Sequence, residues 1–176
     1  MAQGLRRGKS NTVALVVADI QQGVNPTLAK CIQTALGELG LDLMLYDLGH
    51  DLDRLDRLLA RAVGMRLNGL IMAATDVLPK ASVAVGLAKL MEHGITVVAC
   101  GQSFDRQGIP SVIHEEAAAV ERSVSYLIER GLTPVAFAGR VTGSVLGRER
   151  YKGYQLALKR HGIALDDSLV WDRAYR

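Results

Sequence analysis

Five short apolar runs, each followed by a stretch of helical period, constrain this chain more than any other feature. They are TVALVVA (12–18), DLMLYDL (42–48), GLIMAAT (69–75), ITVVACG (95–101) and PVAFAG (134–139). Each is of strand length and rich in aliphatic residues, and between them apolar residues recur at helical spacing. The first four begin roughly 27 residues apart, room for one strand, one short helix and two tight loops. Near-continuous apolar strands predict a parallel sheet with helices covering both faces. Right-handed crossovers then make the fold class α/β, a doubly wound parallel sheet. In such sheets ligands gather beyond the carboxyl ends of the strands, beside the point where strand order reverses. Residues 19–25, 47–50, 75–76, 101–103 and 140–144 are therefore the ones to weigh.

The helix ends are readable. In NPTLAKCIQTALGELG, Asn25 is placed to cap and Pro26 suits the first helical position, where a missing N–H costs nothing. Leu28, Ile32, Ala35, Leu36 and Leu39 form the apolar stripe, and Gly40 stands where a left-handed residue ends the helix. In DLDRLDRLLARAVGM, Asp51 and Asp53 favour the positive end of the helix dipole, with Leu52, Leu55, Leu58, Leu59, Ala62 and Val63 inward. Gly94, Gly131 and Gly162 each close a helix just before the next element. His93 and His161 precede two of these glycines and read as structural cations at helix carboxyl ends.

Composition narrows the class. With 176 residues, 49% apolar and 22% charged, the chain has room for one domain or for one and part of a second. The net charge of +3 owes much to Arg6, Arg7 and Lys9, which read as a solvated end or a basic linker near nucleic acid. Cys31 and Cys100 lie far apart with no metal-ligand spacing. They read as packed thiols in a reduced, cytoplasmic compartment. No run is long enough to span a membrane, and no secretory leader is visible.

No catalytic signature is present: GxSxG, GxxxxGK[ST], HExxH and a GxGxxG opening a helix are all missing. Gly139, Gly143 and Gly147 in GRVTGSVLG read as loop flexibility, and the pairs Glu115-Glu116 and Asp166-Asp167 as helix caps. The expectation is therefore no enzyme, no catalytic residues, no metal and no cofactor.

The ordered series of segments resembles the effector-binding core of the LacI/GalR family of bacterial transcription regulators. GLRRGKSNTVALVVADI is similar to the linker and first strand, and NPTLAKCIQTALGELGLDLMLYD to the NPFF helix and second strand. RLNGLIMAAT resembles RRVDGLIL, and the segment from Gly94 to Arg140 resembles the passage into the second subdomain. RERYKGYQLALKRHGIALDDSLV resembles ER..GY..AL...GI..D..LV. The resemblance covers nearly the whole chain. It implies a periplasmic-binding-protein-like fold of type I with two Rossmann-like subdomains, the second incomplete. The boundaries it implies are a linker remnant at 1–11, an N-terminal subdomain at 12–113 and the start of a C-terminal subdomain at 114–176.

The same resemblance implies a small polar effector, a sugar or related metabolite, bound in an intersubdomain cleft. It also implies a homodimer, and operator DNA reached only through a helix-turn-helix headpiece that the chain lacks. Arg150 matches the arginine that holds effector oxygens, as a planar guanidinium can. Thr27 and Leu28 match positions that are often aromatic, and Asp76, Asp19 and Asn25 fall in cleft-lining segments. His114 replaces the family's usual aspartate, unless Glu115 takes that place; an imidazole would make ligand binding pH-dependent. QQGV (21–24) lengthens the first strand-to-helix loop, and Leu132 stands where the family has histidine. The competing readings are a periplasmic sugar-binding protein and a flavodoxin-like enzyme. The latter would need a phosphate-binding first loop, for which DIQQGVN has a single glycine.

Overall fold

A computed structural model describes residues 10–49, 51–74, 76 and 80–173. Arg6, Arg7, Lys9, His50 and Thr75 lie outside the described residues. The chain divides at Ile113 and His114 into two compact units.

The first unit alternates β1 (Thr12–Val17), α1 (Asn25–Glu38), β2 (Asp42–Asp47), α2 (Leu52–Ala62), β3 (Gly69–Met72), α3 (Lys80–Glu92), β4 (Thr96–Cys100) and the short β5 (Ser111–Val112). All five strands are parallel, in the order β2-β1-β3-β4-β5. The order reverses beside β1: the first crossover goes to one side, the second passes over β1 to the other. The crevice that such a reversal opens lies at the carboxyl ends of β1 and β3.

Register decides which side chains share a face. Ala14 stands opposite Met44 and Leu70, and Val16 opposite Tyr46 and Met72. Ala14, Val16, Leu70 and Met72, with Val97 and Ala99, meet Leu55, Leu58 and Ala62 of α2 and Val83, Leu87 and Leu90 of α3 in the main core, and Tyr46 packs against it. Gly86 of α3 faces Leu59 of α2, and a β-carbon there would make the tip of that flexible side chain shift. Burying an aliphatic side chain of this kind contributes about 1.5–3 kcal/mol.

The other face departs from expectation. Leu15 is fully buried there, but its neighbours across the ladder are not: Ile71 and Val98 are half-buried and Leu45 is 41% exposed. α1 packs mainly on β2 and β1, and none of its side chains is fully buried. Leu28, Ile32 and Leu36 are half-buried, Ala35 is exposed, and Leu39 is 73% exposed. The strands are apolar on both faces, yet only one face is fully covered.

Two details of α1 also differ. The cap position is Val24, not Asn25, and no side chain caps the helix. Gly40 does adopt a left-handed φ of 69°, and Leu41 N–H donates to the Leu36 carbonyl, closing the end as its sequence predicts.

The second unit contains α4 (Glu116–Glu129), β6 (Phe137–Gly139), α5 (Val145–Arg160) and β7 (Val170–Asp172), with β6 and β7 parallel. Val124, Tyr154, Ala157 and Leu158 form its core, and Phe137 and Tyr151 pack around Tyr154. The Tyr154 hydroxyl donates to the Val135 carbonyl at 2.9 Å, satisfying the polar tip of a buried ring.

Candidate functional site

In the first unit the site residues follow β1. The loop folds back on Asp19: its Oδ1 accepts from Gln21 N–H at 2.8 Å, and its carbonyl accepts from Gln22 N–H and from Asn25 Nδ2 at 2.8 Å. Asn25 is thus a loop fastener, not the helix cap the sequence suggests. Gly23 has a φ of 51°, which lets QQGV close as a tight turn.

A second carboxylate holds the same loop from outside. Asp47 ends β2 and sits opposite Val17 in register. Its Oδ2 accepts from Ile20 N–H at 3.1 Å and its Oδ1 from Gly49 N–H at 3.0 Å. One side chain therefore ties together the loops that follow β1 and β2. Thr27 is exposed and Leu28 half-buried on the first turn of α1, and Asp76 is half-buried after β3. Gln102, just beyond β4, is 4% exposed, a buried amide at the same edge of the sheet.

In the second unit, Glu116 opens α4 and Arg150 lies in the second turn of α5. Arg150 Nε donates to Glu116 Oε2 at 2.7 Å and Nη2 donates to Oε1 at 3.1 Å, a two-pronged bond. The Glu116 side chain is 17% exposed and the Arg150 side chain 38%. The Arg150 hydrogen bonds hold the Glu116 carboxyl below the usual carboxylate range, and the charge of Arg150 and the nearby His114 act in the same direction against burial.

This pair follows from how closely α4 and α5 approach. A β-carbon at Gly153 would collide with the Ala117 carbonyl, so only glycine permits the crossing. Arg150 lies one turn before Gly153, and Glu116 is next to Ala117. The close approach delivers one side chain to the other. Reading Glu115-Glu116 as a capping pair is corrected accordingly: Glu115 occupies the cap position without a side-chain hydrogen bond, and Glu116 is held by Arg150.

The loop after β6 is equally ordered. Asp172, opposite Gly139 in register, accepts from Val141 N–H at 2.7 Å, Thr142 N–H at 3.1 Å and the Thr142 hydroxyl at 2.6 Å. These bonds lower the Asp172 carboxyl, the Thr142 hydroxyl contributing most. Ser144 caps α5, its Oγ accepting from Gly147 N–H at 2.8 Å. Gly147 is not a flexible loop residue but a buried helical one, where a β-carbon would strike the Arg140 carbonyl. Gly139 lies in β6, and only Gly143, with φ 72°, serves a turn.

Of the residues singled out from sequence, Asp19 and Asn25 are bonded to each other, with Thr27, Leu28 and Asp76 in the same unit. His114 is exposed and stands beside the Glu116–Arg150 pair in the other unit. Sequence reasoning missed Asp172 and the bonding roles of Asp47 and Glu116. Asp47 carried a signal, since it lies in a strand-end segment already marked; Asp172 carried none. Cys31 is exposed on α1, not packed, whereas Cys100 is half-buried and burial pushes its thiol up. Among the described residues no group of three His, Cys, Asp or Glu could hold a metal, and no helix is long and apolar enough to cross a membrane.

A parallel sheet ordered β2-β1-β3-β4-β5, followed by a second α/β unit that starts its own parallel sheet, defines the periplasmic-binding-protein-like type I class. Residues 10–172 match the family described as periplasmic binding proteins and sugar binding domain of LacI family, and the chain belongs to that family. A fructose operon regulatory protein from Vibrio cholerae is 24% identical over 163 residues, which are 92% of this chain and 48% of that protein. The chain spans about half the length of the curated relatives it matches. Among solved structures, the transcription regulator CcpA of Lactococcus lactis superposes with a TM-score of 0.78 at 20% identity, over 95% of this chain and 60% of that one. A transcriptional regulator CelR in complex with cellobiose gives 0.76 at 24% identity, over 95% and 51%. At these identities the structural likeness is one of fold.

Proposed function

We propose that this chain is the ligand-sensing core of a bacterial transcription regulator. It takes a small polar effector, a sugar or related metabolite, and passes the binding event through a homodimer to DNA-binding heads in the cytoplasm. The effector contacts are Arg150 and His114 in the second unit and Asp19, Asn25, Thr27, Leu28 and Asp76 in the first. The two units correspond to the subdomains at 12–113 and 114–176, with 1–11 as the linker toward DNA.

The observation that carries this reading is the placement of Arg150. A half-buried guanidinium, held by Glu116 beside the exposed His114, is pre-oriented to present its donors to ligand hydroxyls. Relatives named for a fructose operon and for a cellobiose complex support a sugar-sized effector. Their being regulators favours this role over periplasmic transport or catalysis.

The test is a thermal-shift screen against sugars and nucleobases. A ligand that binds the folded state raises the melting temperature once its concentration exceeds the Kd. Arg150→Ala should abolish that shift. Arg150→Lys, which keeps the charge against Glu116 but loses the planar fork, should weaken it. An unchanged shift in Arg150→Ala would remove Arg150 from the effector site.

A further inference from the structure

We infer that the second unit carries a further small-molecule site, a crevice at the amino ends of β6 and β7 that takes an apolar compound bearing one ammonium group. No candidate effector contact lines this crevice, and it opens at the opposite end of the strands from the loop at 140–144.

The crevice follows from how three connections meet. α4 ends at the left-handed Gly131, residues 133–135 lead into β6, and residues 162–169 lead from α5 into β7. Between them remains a cavity of about 310 Å³, at the small end of the sizes that hold ligands. Ile128, Pro134, Leu158 and Leu169 make its apolar walls, together with the buried ring of Tyr154. Ile163 also lines it yet is exposed, and so are Leu132 and Leu165, each next in sequence to a lining residue. Large apolar side chains left in water around a cavity mark a surface that gains by being covered.

The polar groups at this crevice are acceptors. Among the described residues Asp166 is the one carboxylate in the lining, and no Lys, Arg or His lines it. Asp166 Oδ1 accepts from the Ser168 N–H at 2.9 Å and from the Ser168 hydroxyl at 2.7 Å, while Oδ2 is left for another donor. The hydroxyl bond, with the N–H bond, holds the carboxyl below its ordinary value, so it is charged at neutral pH. The Tyr154 hydroxyl gives its proton to the Val135 carbonyl and keeps a lone pair to accept with. Burial raises the pKa of that hydroxyl, and Tyr151 and the Asp166 charge add to the effect, which puts the carboxylate within electrostatic reach of the same oxygen.

The cations nearby in sequence are engaged elsewhere. Arg160 pairs with Glu121, and Arg130 stacks on the Tyr126 ring. Lys159 is exposed and does not line the crevice. An ammonium therefore meets a carboxylate and a hydroxyl oxygen while its hydrocarbon body covers the walls. A ligand carboxylate in the same place meets a like charge.

The experiment titrates the 176-residue chain with phenethylamine, phenethyl alcohol and hydrocinnamate, following backbone amide chemical shifts. Amides of Thr133, Val135, Ala164 and Asp166 should shift saturably. The amine should bind about threefold more tightly than the alcohol, the worth of one charge pair at an exposed carboxylate, and the acid most weakly. Asp166→Asn, which can still accept from Ser168 but drops the charge, should bring the amine to the level of the alcohol. Ala164→Trp, at an exposed position where the fold has room, should block all three. The inference is overturned if those amides show no saturable shift, if the alcohol or the acid binds as tightly as the amine, or if either variant binds the amine as the parent chain does. The same amides shifting with protein concentration alone would make the crevice a contact between copies, and would overturn it too.

Discussion

Gly153 of α5 lies against the carbonyl of Ala117 in α4 so closely that no β-carbon fits between them. This crossing brings Arg150 onto Glu116 and buries Tyr154 and Ala157 in the second unit's core. Gly153→Ala should therefore destabilise the second unit by about 1–3 kcal/mol, the usual range for overpacking. A lowered denaturant midpoint, with weaker protection of α4 and α5 amides in hydrogen exchange, would register it. An unchanged midpoint would mean the helices part without cost.

Glu116 makes stability sensitive to acid in a definite direction. Its folded carboxyl titrates below the ordinary value of 4.5, chiefly because Arg150 hydrogen-bonds the charged form. The contribution is therefore complete above that value and is lost as pH falls through the lowered folded one. Glu116→Gln should lower stability by about 1 kcal/mol at neutral pH. It should also flatten the acid limb of the melting temperature against pH. Parallel acid limbs for the two proteins would contradict this.

Asp47 should govern the loop after β1 more than it governs the fold. Asp47→Ala frees Ile20 N–H and Gly49 N–H, both near solvent, so the stability cost should stay near 1 kcal/mol. Exchange of those two amides should accelerate at least tenfold while the core amides of β1 remain protected. Equal acceleration throughout β1 would show that Asp47 supports the sheet itself.

The two thiols should separate cleanly under a native-state alkylating reagent. Cys31 is exposed on α1, whereas Cys100 is half-buried and burial raises its pKa, leaving less thiolate. Cys31 should react on the order of tenfold faster, as intact mass after timed quenching would show. Reaction at Cys100 first would place that thiol in a more open setting than its burial implies.

What the sequence determined by itself was local. Apolar runs located five strands, Gly40, Gly94, Gly131 and Gly162 ended their helices in left-handed conformations, and Asp51 and Asp166 capped the segments they open. Each of these depends on a few neighbouring residues, so each could be read along the chain. The near-continuous apolar strands also implied a parallel doubly wound sheet, although in the structure only one of its faces is fully covered.

Tertiary structure decided what the polar groups do. Glu116 and Arg150 are 34 positions apart, Val141 and Asp172 are 31, and Ile20 and Asp47 are 27. No local propensity links such pairs. Strand register places Asp47 beside Val17 and Asp172 beside Gly139, and a helix crossing places Glu116 beside Arg150. That is why QQGV, which lengthens the first strand-to-helix loop, folds as a turn fastened on Asp19, with Ile20 just before it held by Asp47. It is also why a glutamate that reads as a cap is the partner of the candidate effector arginine: a carboxylate takes the strongest donor the fold brings to it, and only the fold says which one that is.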